Sequence, residues 1–181
     1  QETQKLVDNL KENNPVLVNE LIPEKLDLGG VQKVLQNLLR EQVPIRDLTS
    51  IFESLADNSA VSKDVDFLTE SARAALARVI TERHLSPDGK LYVITLEPNI
   101  EKLIADSVQR TAQGGYLALD PAPAQAIVRG IKKEFDRAIS GGKEAVLLTN
   151  SQIRLYLMRM LERALSGLKI LSYNEISPEV Q

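Results

Sequence analysis

The hydrophobic pattern of this chain changes at Ser86-Pro87-Asp88-Gly89, and that change constrains the fold more than any other feature. Before this stretch, every periodic apolar segment has the spacing of an amphipathic helix. After it, short apolar runs alternate with helical segments, which is typical of strands joined by helices. Proline fixes one backbone angle and glycine accepts a positive φ, so the stretch itself predicts a turn. The sequence therefore predicts an all-helical half followed by an α/β half.

The helical half contains the segment VQKVLQNLLREQVPIRDLTSIFESLAD, residues 31–57, which predicts two amphipathic helices separated by a proline. Pro44 suits the first position of the second helix, where a missing N–H costs nothing. Asn14-Pro15 predicts another helix start, and Asp64 is expected to begin one long helix that reaches Val79. A pair of short helices is used in DNA-reading helix-turn-helix proteins and also as a packing unit in assemblies.

The second half predicts a small α/β subdomain with a four-stranded, mainly parallel sheet and three helices. Glu97-Pro98 and Asp120-Pro121 each place an acid before a proline at an expected helix start, where the acid can accept helix N–H bonds. The fold class is α + α/β, with an N-terminal helical subdomain at 1–85, a hinge with Pro87 and Gly89 at 86–90, and the α/β subdomain at 91–181. The expected strands are 91–96, 116–119, 145–149 and 168–173, and the expected helices are one from Pro98 through Val108, one carrying Ile127 to Ala138, and one from Ser151 to Ala164.

Composition limits the class of function. The chain has 181 residues, a net charge of -3 and no cysteine. Its acids and bases are interleaved, whereas a nucleic-acid-binding domain normally gathers excess Lys and Arg on one face, so we expect no nucleic-acid partner. No apolar run approaches the ~20 residues of a membrane-spanning helix. The chain begins at Gln1 inside a predicted helix, so we expect it to be a piece of a longer protein.

Residues that could carry catalysis are few. His84 is the only histidine and falls at a predicted helix end, where a capping or surface role is expected. Gly141-Gly142-Lys143 has phosphate-loop composition, but it leaves a helix and enters a strand, which predicts a helix C-cap turn. No carboxylate pair is isolated in an apolar setting that would tune its pKa. We therefore expect no catalytic residue, no cofactor and no metal. A DNA-binding regulator and a small α/β enzyme remain as alternatives to an interaction module.

Two arginine stripes are candidate interaction surfaces. Arg73 and Arg78 lie among acids on the predicted long helix, a pattern typical of a solvated face or a polar subunit interface. The second stripe lies on the last predicted helix and could dock an acidic or amphipathic partner helix; its members are Arg154, Arg159 and Arg163.

The segment GGVQKVLQNLLREQVPIRDLTSIFESLAD, the continuation LTESARAALARVI and the closing VLLTNSQIRLYLMRMLERALSGLKILSYNEISPEV resemble the C-terminal cytoplasmic region of the FlhA/InvA/SctV family, the export-gate proteins of flagellar type III secretion and injectisomes. The resemblance covers essentially the whole chain. It implies a non-enzymatic scaffold that is part of an integral membrane protein at the cytoplasmic side of the bacterial inner membrane. Contact with the membrane would be made only through the missing N-terminal half.

The resemblance also implies partners. The family forms a cytoplasmic ring, expected here to have nine copies, and receives export chaperones with late flagellar substrates as well as the stalk of the ATPase complex. This chain resembles the third and fourth of four subdomains, so the main chaperone groove falls in missing subdomains. Residues 1–85 would then build the ring. The candidate ring contacts are Gln32, Lys33, Arg40, Arg73 and Arg78.

Overall fold

The computed structural model describes residues 1–180, which form two compact units divided between Ile80 and Thr81. The first unit is helical, and the second contains all the strands of the described chain. The helices are α1 (Glu2–Asn13), α2 (Pro15–Leu21), α3 (Leu28–Arg40), α4 (Leu48–Asn58), α5 (Val65–Ala75), α6 (Ala77–His84), α7 (Pro98–Asp106), α8 (Pro121–Ser140) and α9 (Arg154–Leu161). The strands are β1 (Tyr92–Thr95), β2 (Val108–Thr111), β3 (Gly114–Leu117), β4 (Ala145–Thr149) and β5 (Ile170–Ser172).

Polar side chains begin the helices of the first unit. Asn14 accepts from the Leu17 N–H at 3.4 Å, with Pro15 in the first turn of α2. Asp27 accepts from the Gly30 N–H at 2.7 Å at the start of α3, and Asp64 accepts from the Phe67 N–H at 2.9 Å at the start of α5. These bonds satisfy N–H groups that have no partner inside the helix.

Two helix boundaries differ from the prediction. Helix α4 begins at Leu48, not at Pro44, because Asp47 accepts from the Ser50 N–H at 3.1 Å and caps the helix there. The expected long helix from Asp64 is two helices, since Leu76 lies outside helical geometry and its N–H is shared among the carbonyls of the preceding turn.

The core of the first unit is formed by the apolar faces that the helical period predicted. Its fully buried members come from successive helices and include Leu21, Val31, Val34, Leu38, Ile51, Phe52, Leu55, Leu68 and Ala72. Burying such side chains stabilises a fold by about 1.5–3 kcal/mol each.

The second unit has a parallel sheet of three strands in the order β1-β4-β5, not the four that the sequence predicted. The run expected as a further parallel strand belongs instead to an antiparallel hairpin of β2 with β3. Val108, which the prediction placed in the helix from Pro98, pairs with Leu117 in that hairpin. Gly114 adopts φ 116, which only glycine accepts readily, and so permits the turn.

The helices α7, α8 and α9 confirm the three helices expected in this unit and cover the sheet with an apolar cluster that includes Ile104, Ile131, Leu147, Leu157 and Ile170. Glu97 and Asp120 precede α7 and α8 as expected, but neither side chain caps its helix. Pro at the first helical position already removes one unsatisfied N–H, which lowers the need for a side-chain acceptor.

Candidate interaction surfaces

The exposed side of α3 carries three of the predicted ring contacts. Gln32, Lys33 and Arg40 are all exposed, whereas Val34 and Leu38 on the opposite side are completely buried. The helix therefore separates an apolar face from a polar face of positive charge. Arg78 on α6 is also exposed.

Arg73 does not belong to this surface. Its side chain is 3% exposed, and its Nη1 lies 3.6 Å from Oε2 of Glu41. A second polar contact joins the same helices, since the Asn37 amide donates to the Thr69 hydroxyl at 3.2 Å. A buried guanidinium must be paired, so Arg73 ties α5 to the end of α3 and is not available to a partner.

An acidic cavity of about 320 Å³ opens on the first unit, and sequence reasoning missed it. Its carboxylates are Glu20, Glu53 and Asp57, and one of them, Glu20, is paired with Lys25 at 2.6 Å. Val16 at the same cavity is 75% exposed. The residues come from α2, its N-cap Asn14, and α4, so no local sequence pattern could have indicated the site. The complete lining is Asn14, Val16, Leu17, Glu20, Glu53, Ala56 and Asp57.

Two members of the predicted arginine stripe remain at the surface, and of these only Arg159 lies on α9, which ends at Leu161. Arg159 and Arg163 are exposed, but Arg154 is completely buried. Arg154 donates to the Ile170 carbonyl at 3.1 Å, and its Nε lies 3.7 Å from Oε2 of Glu175, which is also completely buried. The Arg154 guanidinium therefore makes its contacts inside the second unit and is not at the surface, so the prediction of an exposed Arg154 was wrong.

Glu175 belongs to a buried polar network that we call the terminal clasp, formed by Thr81, Arg154, Ser172, Glu175 and Ser177. The Glu175 carboxylate accepts from the Ser172 N–H at 3.1 Å, and its backbone carbonyl accepts from the Thr81 hydroxyl at 2.8 Å. The same hydroxyl accepts from the Ser177 N–H at 2.9 Å. The clasp fixes the 3-10 turn Tyr173–Glu175 and the segment after it against the start of the second unit.

The turn with the predicted hinge residues Pro87 and Gly89 lies inside the second unit. Gly89 has φ 80, and its N–H donates to the Ser86 carbonyl at 2.8 Å. Both hinge residues are exposed.

Contacts among three side chains, those of Asp88, Tyr92 and Lys143, hold this turn to β1. The Tyr92 hydroxyl donates to Asp88, and Lys143 Nζ lies 3.1 Å from that hydroxyl and 4.4 Å from the centre of the ring. The Tyr92 hydrogen bond, helped by the Lys90 N–H, lowers the pKa of Asp88 below 3.8. The same tyrosine raises the pKa of Lys143 above 10.5.

Lys143 also ends a helix C-cap, as the sequence predicted for Gly141-Gly142-Lys143. Gly142 has φ 70, its N–H donates to the Ile139 carbonyl at 2.9 Å, and the Lys143 N–H donates to the Ala138 carbonyl at 2.9 Å. This pair of bonds is a Schellman motif. The backbone N–H groups therefore face helix carbonyls, which excludes a phosphate loop here.

Glu101 joins the ends of β4 and β5. The Asn150 amide donates to one carboxylate oxygen of Glu101 at 2.9 Å, and the Tyr173 hydroxyl lies 3.4 Å from the other. Burial, and then the charge of Glu101, raise the pKa of Tyr173 above 10.0.

No group of His, Asp or Glu among residues 1–180 is arranged to hold a metal ion. Within the same range, no helix combines the length and apolarity needed to span a bilayer.

Comparison with known proteins identifies the protein family to which this chain belongs. The FHIPEP family model matches residues 1–181, and the chain belongs to the FHIPEP family. The export-gate resemblance of the sequence is thereby confirmed. The helix pair of residues 31–57 lies within this match.

The chain is also similar to individual members of the family, both in sequence and in structure. The chain is 44% identical over 181 residues to the flagellar biosynthesis protein FlhA of Bacillus subtilis, covering 100% of this chain and 27% of that protein. It is similar to nonameric EPEC SctV-C, with a TM-score of 0.88, 33% identity and coverage of 99% and 54% of the two chains. It is also similar to CdsV in the complex of Chlamydia pneumoniae CdsV and CdsO, with a TM-score of 0.88, 29% identity and coverage of 100% and 53%. The chain thus spans about a quarter of the curated relative and about half of each solved one.

Proposed function

We propose that this chain is a non-enzymatic part of a flagellar type III export gate, where it helps to form a cytoplasmic ring and a docking platform. The observation that carries the proposal is the match to one family of flagellar and secretion proteins along the entire chain. A scaffold role also fits the candidate surfaces, because their charged residues are arranged for contact rather than for proton transfer.

The ring is proposed from the first unit. A cyclic ring closes through two different surfaces of each copy, and those surfaces must complement each other. The exposed polar side of α3, with Lys33 and Arg40, is one such surface, and the acidic cavity with Glu53 and Asp57 has the opposite charge. Gln32 and Arg78 would extend the basic surface. Two similar structures are of nonameric assemblies, SctV-C and the EscV cytosolic domain, which supports nine copies here.

Docking of partners is proposed from the second unit. A relative, CdsV, has been solved in complex with another protein, CdsO, which supports binding of a partner protein by a domain of this fold. We propose the stalk of the ATPase complex as that partner, as the family resemblance implies. Arg159 on α9 and Arg163 in the turn after it are the exposed candidates for such a contact. Export chaperones with late flagellar substrates would bind mainly to subdomains outside this chain. The fragment would sit at the cytoplasmic side of the bacterial inner membrane, held there by the rest of the protein.

The proposed division of labour places ring building in residues 1–85 and docking in residues 91–181. We propose α6, rather than the turn with Pro87 and Gly89, as the joint between the units. Support comes from Thr81 in α6, whose side chain belongs to the terminal clasp, and from the contacts of Asp88 that hold the turn to β1.

The test is a chimera in which this chain replaces the matching quarter of FlhA in Bacillus subtilis. We expect flagellar protein export and motility to be retained. The control chimera carries Lys33→Glu with Arg40→Glu, exposed changes that should leave protein levels normal but abolish ring assembly and export. A chimera that accumulates in the membrane without export would contradict the gate role, whereas normal assembly of the double variant would remove only the ring contacts.

A further inference from the structure

The gate proposal gives no role to the outer edge of β1. β1 and β5 are the edges of the parallel sheet. The three residues of β5 are all buried, but β1 alternates between half-buried and exposed residues, and Val93 is 40% exposed.

The register shows which backbone groups of β1 face outward. The Leu147 N–H donates to the Lys169 carbonyl, so Leu147 directs its backbone groups toward β5. Orientation alternates along a strand, so Val146 and Leu148 direct theirs toward β1, where Val93 is level with Val146. In a parallel ladder a residue bonds to the two residues that flank its partner. Tyr92 and Ile94 therefore bond to β4.

Val93 and Thr95 then direct their N–H and C=O groups away from the sheet. Within the described chain, no backbone partner takes up these outward groups. Both side chains are exposed as well. The edge consequently offers two residues with complete hydrogen-bonding capacity beside an accessible apolar side chain.

Most edge strands carry a feature that prevents another strand from pairing with them, such as an inward charge, a proline or a bulge. β1 has none of these. Its pairing with β4 is continuous, and the run Leu91 to Leu96 contains neither a charged residue nor a proline. The hairpin strand β2, by comparison, carries Arg110. An open edge of this composition is a template for strand addition.

The ends of the run indicate which segment would fit. Lys90 precedes it and Glu97 follows it, and both are exposed. We propose that the outer edge of β1 is a docking site for an extended segment of another polypeptide, which adds as an antiparallel fourth strand. That segment has a basic residue beside Glu97, β-branched apolar residues beside Thr95 and Val93, and an acidic residue beside Lys90. Antiparallel pairing is favoured because it is slightly more stable per residue than parallel pairing.

The experiment titrates the whole 181-residue chain with the synthetic peptide KTVTVTTE to millimolar concentration and follows backbone amide resonances. We expect shifts and slowed hydrogen exchange at the Val93 and Thr95 amides. The peptide ETVTVTTK has the same composition with its end charges exchanged, and it should bind several-fold more weakly. No binding by KTVTVTTE, or shifts that do not include these two amides, would overturn the proposal.

Matched variants separate backbone pairing from side-chain contact. Val93→Pro removes an outward N–H that the fold does not use, and binding should weaken about tenfold, the effect of one lost hydrogen bond with added steric exclusion. Val93→Thr keeps that N–H and should bind nearly as the parent does. Equal binding by both variants contradicts strand addition. If Val93→Pro does not fold, Thr95→Pro gives the same comparison.

Self-association is the remaining outcome. If the chain alone forms dimers that Val93→Pro abolishes, the edge pairs with a second copy, and the proposal of a different polypeptide is wrong. This inference does not depend on the gate role, because binding is measured on the isolated chain and export is measured in the chimera.

Discussion

Arg154 and Arg159 show how two arginines five residues apart on α9 acquire different roles. Both were predicted to lie in one stripe, yet Arg154 is completely buried with Glu175 while Arg159 is exposed. Five residues correspond to about 140° around a helix, so the two side chains leave α9 in different directions. The segment after β5 folds back over the side that carries Arg154, and no pattern in the helix itself encodes that contact. Charge periodicity could therefore predict the helix, but it could not predict which charged residues remain at the surface.

Replacing Arg154 by Met should destabilise the chain strongly. The buried Glu175 carboxylate would lose its counter-ion, and breaking such a pair typically costs about 3–5 kcal/mol. Chemical denaturation with urea measures the change in the free energy of unfolding. Arg159→Met is the matched control and should change stability by no more than about 0.5 kcal/mol.

A double variant completes this test. Arg154→Met with Glu175→Leu removes both charges and should recover part of the lost stability, although the Ser172 N–H still loses its acceptor. If the double variant is as unstable as the two single variants added together, the two charges do not interact and the clasp is misassigned.

Asp88 should titrate below its ordinary pKa of 3.8 because the Tyr92 hydroxyl and the Lys90 N–H donate to its ionised form. A lowered folded-state pKa means that this stabilisation is present above pH 3.8 and is lost as the pH falls through the folded value. The carboxyl carbon resonance of Asp88 reports the titration directly. Tyr92→Phe removes the largest cause and should raise the pKa toward 3.8; an unchanged pKa in that variant would show that the Tyr92 bond is absent in solution.

At the scale of elements, most helices were predictable from sequence and the hairpin was not. The apolar period fixes the buried face of α3 or α5 because each helix is long enough to show several repeats. β2 and β3 have four residues each, so neither shows a period, and Val108 continues the apolar spacing of the preceding helix. The mainly parallel character of the sheet was predicted, whereas the prediction of a fourth strand was wrong because short apolar runs do not specify their partner.

Gly115 in β3 is the point where the hairpin meets α9. A Cβ added there would overlap the Tyr156 hydroxyl oxygen and would lie 2.9 Å from the ring carbon that bears it. We expect Gly115→Ala to destabilise the chain by about 1–3 kcal/mol, as overpacking does, and to displace the Tyr156 ring. Thermal unfolding and the Tyr156 ring resonances measure the two effects.

Gly130 on α8 provides a control, because replacing it by alanine should change stability in the opposite direction. A Cβ there would meet nothing within 4 Å, so Gly130→Ala should stabilise the helix by about 0.5–1 kcal/mol. A destabilising Gly130→Ala, or a neutral Gly115→Ala, would contradict the described packing.

At the scale of the whole molecule, the boundary between the two compact units does not coincide with the change in hydrophobic pattern along the sequence. The pattern changes at the turn of residues 86–90, but the units divide between Ile80 and Thr81, within α6. Thr81 is completely buried and bonds to the clasp residues Glu175 and Ser177. Contacts so distant in sequence cannot be read from local composition, so the sequence pattern alone does not indicate a division at Thr81.

Fragments can test where the second unit begins. A fragment of residues 77–181 keeps the Thr81 contacts and should unfold in a single cooperative transition. A fragment of residues 91–181 lacks them and should be less stable by at least the cost of one unsatisfied buried group, about 1–3 kcal/mol. Denaturation followed by circular dichroism compares the two. Equal stability would mean that α6 contributes nothing to the second unit.

The terminal clasp also has a consequence for synthesis on the ribosome. Residues 1–80 form a compact unit with its own buried apolar core, so this unit can begin to fold while translation continues. The second unit cannot close until β5, Glu175 and Ser177 have left the exit tunnel, because they complete its sheet and its buried polar network. A nascent chain interrupted before residue 170 would therefore expose the apolar cluster to chaperones and proteases. The second unit therefore becomes stable only after synthesis has passed residue 177.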